Sequence, residues 1–209
     1  MRALDGSCLI APTVILLADA LADLIWRVDL SDDGHRATAG IWLAHHSMAF
    51  NPDSPLKPTV PGINGVRYAA QTHFLYYTST AQKLFMRVRV DPATHQPAGE
   101  PELVAGGTMS DDFCLDEDAS VAYLTTHRQN TIDRVSLTPA RQPQPRDIVA
   151  GDPFTDELIG PTSAAWGRTP DDYGRVAYVT TDGGTAAPPP DGTVRPAKIL
   201  SVELEPAAC

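Results

Sequence analysis

Two side chains suited to chemistry stand at one position of a repeated unit. Asn64 precedes Leu75 by 11 residues and Asp111 precedes Ala122 by 11. Leu75 and Ala122 begin equivalent segments, so the amide and the carboxylate are expected at one spot in successive copies. Held together beside a water-filled axis, they are hard oxygen donors for Ca²⁺, Mg²⁺ or Mn²⁺, with Zn²⁺ a further option, and less suited to a closed structural zinc site. Such a cation polarises an ester or lactone carbonyl and acidifies a bound water, while a carboxylate takes the proton. Asp111 is the candidate for both ligand and base. Asn64-Gly65 and Asp111-Asp112 are also good turn residues, and opening a strand needs no ligand.

Histidines supply the other candidates. His45 and His46 fall in the long connection between the first two copies, and His127 falls in a turn between paired strands. All three are expected at the mouth of the same site, binding a small-molecule substrate. His35, His73 and His95 lie in turns assigned to the opposite face or the rim. The chain has no Gly-x-Ser-x-Gly elbow and no His-Glu-x-x-His, so neither serine-hydrolase nor zincin chemistry is signalled.

The elements that position these residues come from the repeat. ILLADALADLIWRV (15–28), LYYTSTAQKLFMRV (75–88) and AYLTTHRQNTIDRV (122–135) align without a gap, and VAYVTTDGG (176–184) with AKILSVEL (197–204) makes a fourth copy. Each is a short apolar strand, a polar turn and an alternating strand. A further segment precedes each pair (6–12, 64–70, 111–117, 162–168) and a weaker one follows the first three (36–44, 102–107, 147–151). Four strands per copy at a spacing of roughly 40–50 residues is the signature of propeller blades. The fold predicted is an all-β propeller, as one partial domain over 1–209 with blades at about 4–44, 62–107, 109–151 and 160–205.

Composition narrows the partners. A net charge of −10 disfavours nucleic acid, which needs a basic face to release counterions. The apolar stretch near the N-terminus is interrupted by Asp5 and Asp19 and coincides with the first copy, so it is not expected to be a signal peptide, and a cytoplasmic location is favoured. No run approaches the roughly 18 apolar residues of a membrane span. Cys8, Cys114 and Cys209 lack metal-type spacing; Cys8 and Cys114 are read as small buried apolar residues. The sequence assigns no oligomeric state.

Asn64-Gly65-Val66, Ser110-Asp111-Asp112-Phe113-Cys114-Leu115-Asp116 and Thr162-Ser163-Ala164-Ala165-Trp166-Gly167 open successive copies. In this the chain resembles the gluconolactonase and senescence-marker-protein (regucalcin) family of six-bladed propellers, in its fungal form. The resemblance spans essentially the whole chain and implies two further blades upstream. It also implies a divalent cation, most often Ca²⁺, held by a Glu, two Asn and an Asp. Asn64 matches one asparagine and Asp111 the aspartate. The other asparagine falls near Asp5, the Glu has no counterpart here, and Asp112 replaces a usual Gly. The activity implied is metal-dependent lactone hydrolysis, with a place in secondary metabolism. Two alternatives share the fold: a cation-independent pericyclase of the hetero-Diels-Alderase kind, and a non-catalytic binding propeller or degenerate fragment.

Overall fold

The computed structural model describes residues 1–50, 60–138 and 143–204. They form four antiparallel sheets, each made by strands consecutive in the chain. The first holds β1 (Leu4–Ala11), β2 (Val14–Asp19), β3 (Leu24–Leu30) and β4 (Ala37–Ala44). The second holds β5 (Ile63–Ala69), β6 (Phe74–Ser79), β7 (Leu84–Arg89) and β8 (Glu102–Gly106). The third holds β9 (Phe113–Asp116), β10 (Val121–Thr126), β11 (Thr131–Ser136) and β12 (Arg146–Ala150). The last holds β13 (Pro161–Trp166), β14 (Val176–Thr181) and β15 (Lys198–Glu203). These are propeller blades, and the fold is all-β. Residue 205, the end assigned to the last copy, and Cys209 lie outside the described residues. Among the described residues no helix is long and apolar enough to cross a membrane.

The chain divides into two compact units, Met1–Val104 and the remainder from Ala105. Each contains two blades and its own core. In the first, Leu16, Ile25, Ile63, Val66, Leu75, Tyr77 and Val88 are completely buried in one apolar cluster. In the second, Cys114, Tyr123, Ile132, Ala164, Ala177 and Val179 form another, against which Trp166 packs. Cys8 is only half-buried against the first cluster, whereas Cys114 is buried within the second.

Why these residues make strands is visible in their burial. β10 is buried at every residue, as a second strand covered on both faces must be. The turn into the third strand needs one residue in the left-handed region, and Asp23, Lys83 and Asn130 take φ of 60°, 58° and 65° at the equivalent place in three copies. Asp and Asn tolerate that conformation better than Lys.

Candidate functional site

The first strand of a blade carries the candidate ligands at an irregularity. Pairing of β1 with β2 shifts register between Leu4 and Ser7, and pairing of β5 with β6 shifts between Ile63 and Val66. Asp5 and Asn64 sit inside these shifts, where a bulge re-aims side chains. The two strands approach closely: a Cβ on Gly6 would lie 2.5 Å from the Asn64 carbonyl oxygen and 2.8 Å from Gly65 Cα. Asp5 and Asn64 are therefore neighbours across two blades of the first unit. Asp5 is exposed. Asn64 is buried, with its Nδ2 donating to Thr80 Oγ1 at 3.2 Å.

The second unit repeats this design with charged groups. Thr78 Oγ1 accepts from the Gly65 amide at 2.9 Å, and Thr125 Oγ1 accepts from the Asp112 amide at 3.2 Å, which fixes the residue after each candidate ligand. Asp112 also accepts from Ser163 Oγ at 2.7 Å. The partner of Asp111 is His127, whose Nδ1 lies 3.3 Å from Asp111 Oδ2. The other ring nitrogen, Nε2, lies 2.9 Å from Asp182 Oδ2. All three side chains are 15–19% exposed, so the group is shielded but reachable.

Asp182 is held rigidly. Its Oδ1 accepts from the Gly184 amide at 2.7 Å and its Oδ2 from the Ala186 amide at 2.9 Å. Gly160, at φ 62°, lies so close to Asp182 Oδ1 that no side chain fits there. Gly160 is placed in turn by its amide, which donates to Asn130 Oδ1 at 3.0 Å. Burial pushes the Asp182 carboxyl up, but hydrogen bonds from His127 and from the Ala186 and Gly184 amides outweigh it and hold the group below the usual carboxylate range. Beside it, Thr181 and Gly183 line a cleft of about 220 Å³ with Ile159, Leu200, Arg195 and Lys198.

His45 and His46 belong to the first unit. His45 caps a short 3-10 turn, His46–Met48, and its Nδ1 lies 2.8 Å from Ser47 Oγ. Ser47 continues to the buried Tyr77 hydroxyl at 2.6 Å. The two histidine rings stand 4.0 Å apart. Burial, and then the charge of His46, hold the His45 ring below its ordinary value, with Glu100 opposing. The Tyr77 hydroxyl is pushed up to about 12 by burial, against the Ser47 bond. These bonds make His45 an anchor for the connection between the two blades.

Sequence reasoning assigned Asp111 and His127 separate roles, whereas the structure puts them in one group. It missed Asp182. The signal was available: Asp182 follows Val-Ala-Tyr-Val-Thr-Thr as His127 follows Val-Ala-Tyr-Leu-Thr-Thr.

The side chains expected to hold a cation already make contacts within their own units. Asp111 turns Oδ2 to the imidazole, and Asn64 has its amide nitrogen on Thr80. Among the described residues, no group of three or more His, Cys, Asp or Glu side chains is arranged to hold a metal ion.

Fold and site together define a β-propeller with a carboxylate-imidazole-carboxylate group at the strand ends of its second unit. No protein-family model and no curated protein matches the chain. Solved propellers do. A luciferin-regenerating enzyme is 14% identical with a TM-score of 0.58, over 86% of this chain and 54% of its own. A regucalcin from Agrobacterium tumefaciens, described as a calcium-binding protein, is 15% identical with a TM-score of 0.56, over 85% of this chain and 52% of its own. A chain of a nidogen/laminin complex is 16% identical with a TM-score of 0.56, over 91% of this chain and 62% of its own. The chain thus spans about half to three-fifths of these proteins. At such identities the likeness is one of fold, which a luciferin-regenerating enzyme and a chain of a nidogen/laminin complex share.

Proposed function

We propose that the chain carries a hydrolytic site for small cyclic esters, with Asp111 as the base and His127 as the group that orients it. What supports this reading is the imidazole held between two carboxylates, one of them locked by backbone amides. Asp111 takes a proton from a water as the water oxygen bonds to the lactone carbonyl carbon. When the tetrahedral intermediate collapses, the ring C–O bond breaks and the same proton goes to the leaving alkoxide, giving the open hydroxy acid. His127, beside Asp111, holds that carboxylate oriented toward the water. Asp182 fixes the ring plane, so the geometry is set before substrate arrives. Ca²⁺, expected from the family resemblance, has no step in this reading, because Asp111 Oδ2 faces the His127 ring.

The test is a pH-stat assay of purified protein on γ- and δ-lactones. Acid release well above the uncatalysed rate is expected, with a loss of about 10²-fold or more in Asp111→Asn, since a positioned base contributes about 10²–10⁴-fold. No acid from any lactone, or a loss under about tenfold, contradicts the proposal. Consumption of a diene or dienophile partner without acid release would favour pericyclic chemistry instead.

A further inference from the structure

The residue just after the second strand pairs with the candidate ligand of its own blade, and the pair changes character between copies. In the second copy Thr80 faces Asn64 at 3.2 Å, a neutral hydroxyl against a neutral amide. In the third, at the same separation of 16 residues, His127 faces Asp111 at 3.3 Å. Both partners are exchanged together. The hydroxyl becomes an imidazole where the amide becomes a carboxylate, and Asp182, the equivalent residue of the last copy, brings a second carboxylate to the far ring nitrogen at 2.9 Å.

The His127 ring fills the space between the two carboxylates, with one ring nitrogen against an oxygen of each. The side of Asp111 toward His127 is closed to a metal ion, which would need that oxygen at about 2.3–2.6 Å.

We infer that the His127 side chain takes, on Asp111, the place a divalent cation would hold, so that ring and cation compete for one carboxylate. Asp182 is the residue that keeps the ring there. The inference concerns binding, and it stands whether or not the site opens lactones.

Calorimetric titration of chelator-treated protein with Mn²⁺ and Ca²⁺ tests it. Wild type should show no saturable, Asp111-dependent binding below the millimolar range. His127→Ala should bind one equivalent at least tenfold more tightly than wild type, and the gain should vanish in His127→Ala/Asp111→Asn. His127→Thr, the pairing residue of the preceding copy, serves if the alanine variant does not fold. Micromolar binding by wild type that Asp111→Asn abolishes would overturn the inference. So would failure of the folded His127 variants to gain affinity.

Discussion

His127 and Asp182 are the same residue of the repeat, 55 positions apart, and they meet: Nε2 of the one lies 2.9 Å from Oδ2 of the other. Each directly follows the second strand of its blade, β10 or β14. Two blades of one unit thereby turn equivalent positions toward each other, and a repeated position becomes a hydrogen-bonded pair.

Asp182→Asn should lower kcat more than it raises KM, because the residue orients a ring and does not touch substrate. Its stability effect should depend on pH. The folded carboxyl sits below its ordinary value of 3.8, so its contribution is fully present above that value and disappears as pH falls through the lower folded one. Thermal unfolding of wild type and variant should differ at pH 7 and converge as pH falls below the ordinary carboxylate value. An unchanged gap over that range would mean the charge is not what stabilises.

Gly160→Ala should damage both fold and activity. The left-handed φ of 62° costs a non-glycine residue about 1–2 kcal/mol, and the added methyl displaces the Asp182 carboxylate. Denaturant midpoints and the pH-stat rate should fall together. A stable variant with normal activity would remove Asp182 from the site.

Asp133 and Arg146 test the second core without touching the site. Asp133 is 5% exposed, accepts from Arg146 Nη1 at 2.9 Å and from Thr131 Oγ1 at 2.7 Å, and its carboxyl is raised by burial against both bonds. Arg146→Met leaves a buried charge unpaired and should cost about 3 kcal/mol at neutral pH. Because that charge is the cause, the loss should shrink as acid protonates Asp133. Equilibrium urea unfolding at pH 7 and pH 4.5 measures this, and a pH-independent loss would assign it to packing alone.

Gly6→Ala should destabilise the first unit by about 1–3 kcal/mol, the usual cost of overpacking. The new methyl would meet backbone atoms of Asn64, Gly65 and Val66, which side-chain rotation cannot relieve. Hydrogen exchange should show the loss in β1 and β5. Full stability would mean the two strands do not approach as described.

The blades were legible because the repeat is gapless: three copies align through the turn, and the left-handed residues Asp23, Lys83 and Asn130 occupy one place in it. Asp111 and Asn64 were found from their common distance to the second strand. The same arithmetic carried further gives Thr80 and His127 at a common distance of 16 residues, and His127 and Asp182 after matching hexapeptides. The cation that repeat spacing and family resemblance both placed at Asp111 depends on which way side chains turn within a few ångströms. Spacing along a strand does not encode that. The anchoring of His45 by Ser47 and Tyr77 was hidden for a similar reason, since Tyr77 is 30 residues away and reads simply as a core aromatic.

The central claim is most directly tested by the rate of lactone opening in protein stripped with chelator, measured beside His127→Ala. Stripping should leave the wild-type rate unchanged, and removing the imidazole should lower it by about 10²-fold, the cost of misplacing a catalytic group by about an ångström. Loss of activity on chelation, restored by millimolar Ca²⁺ or Mn²⁺ while His127→Ala stays near the wild-type rate, would contradict it.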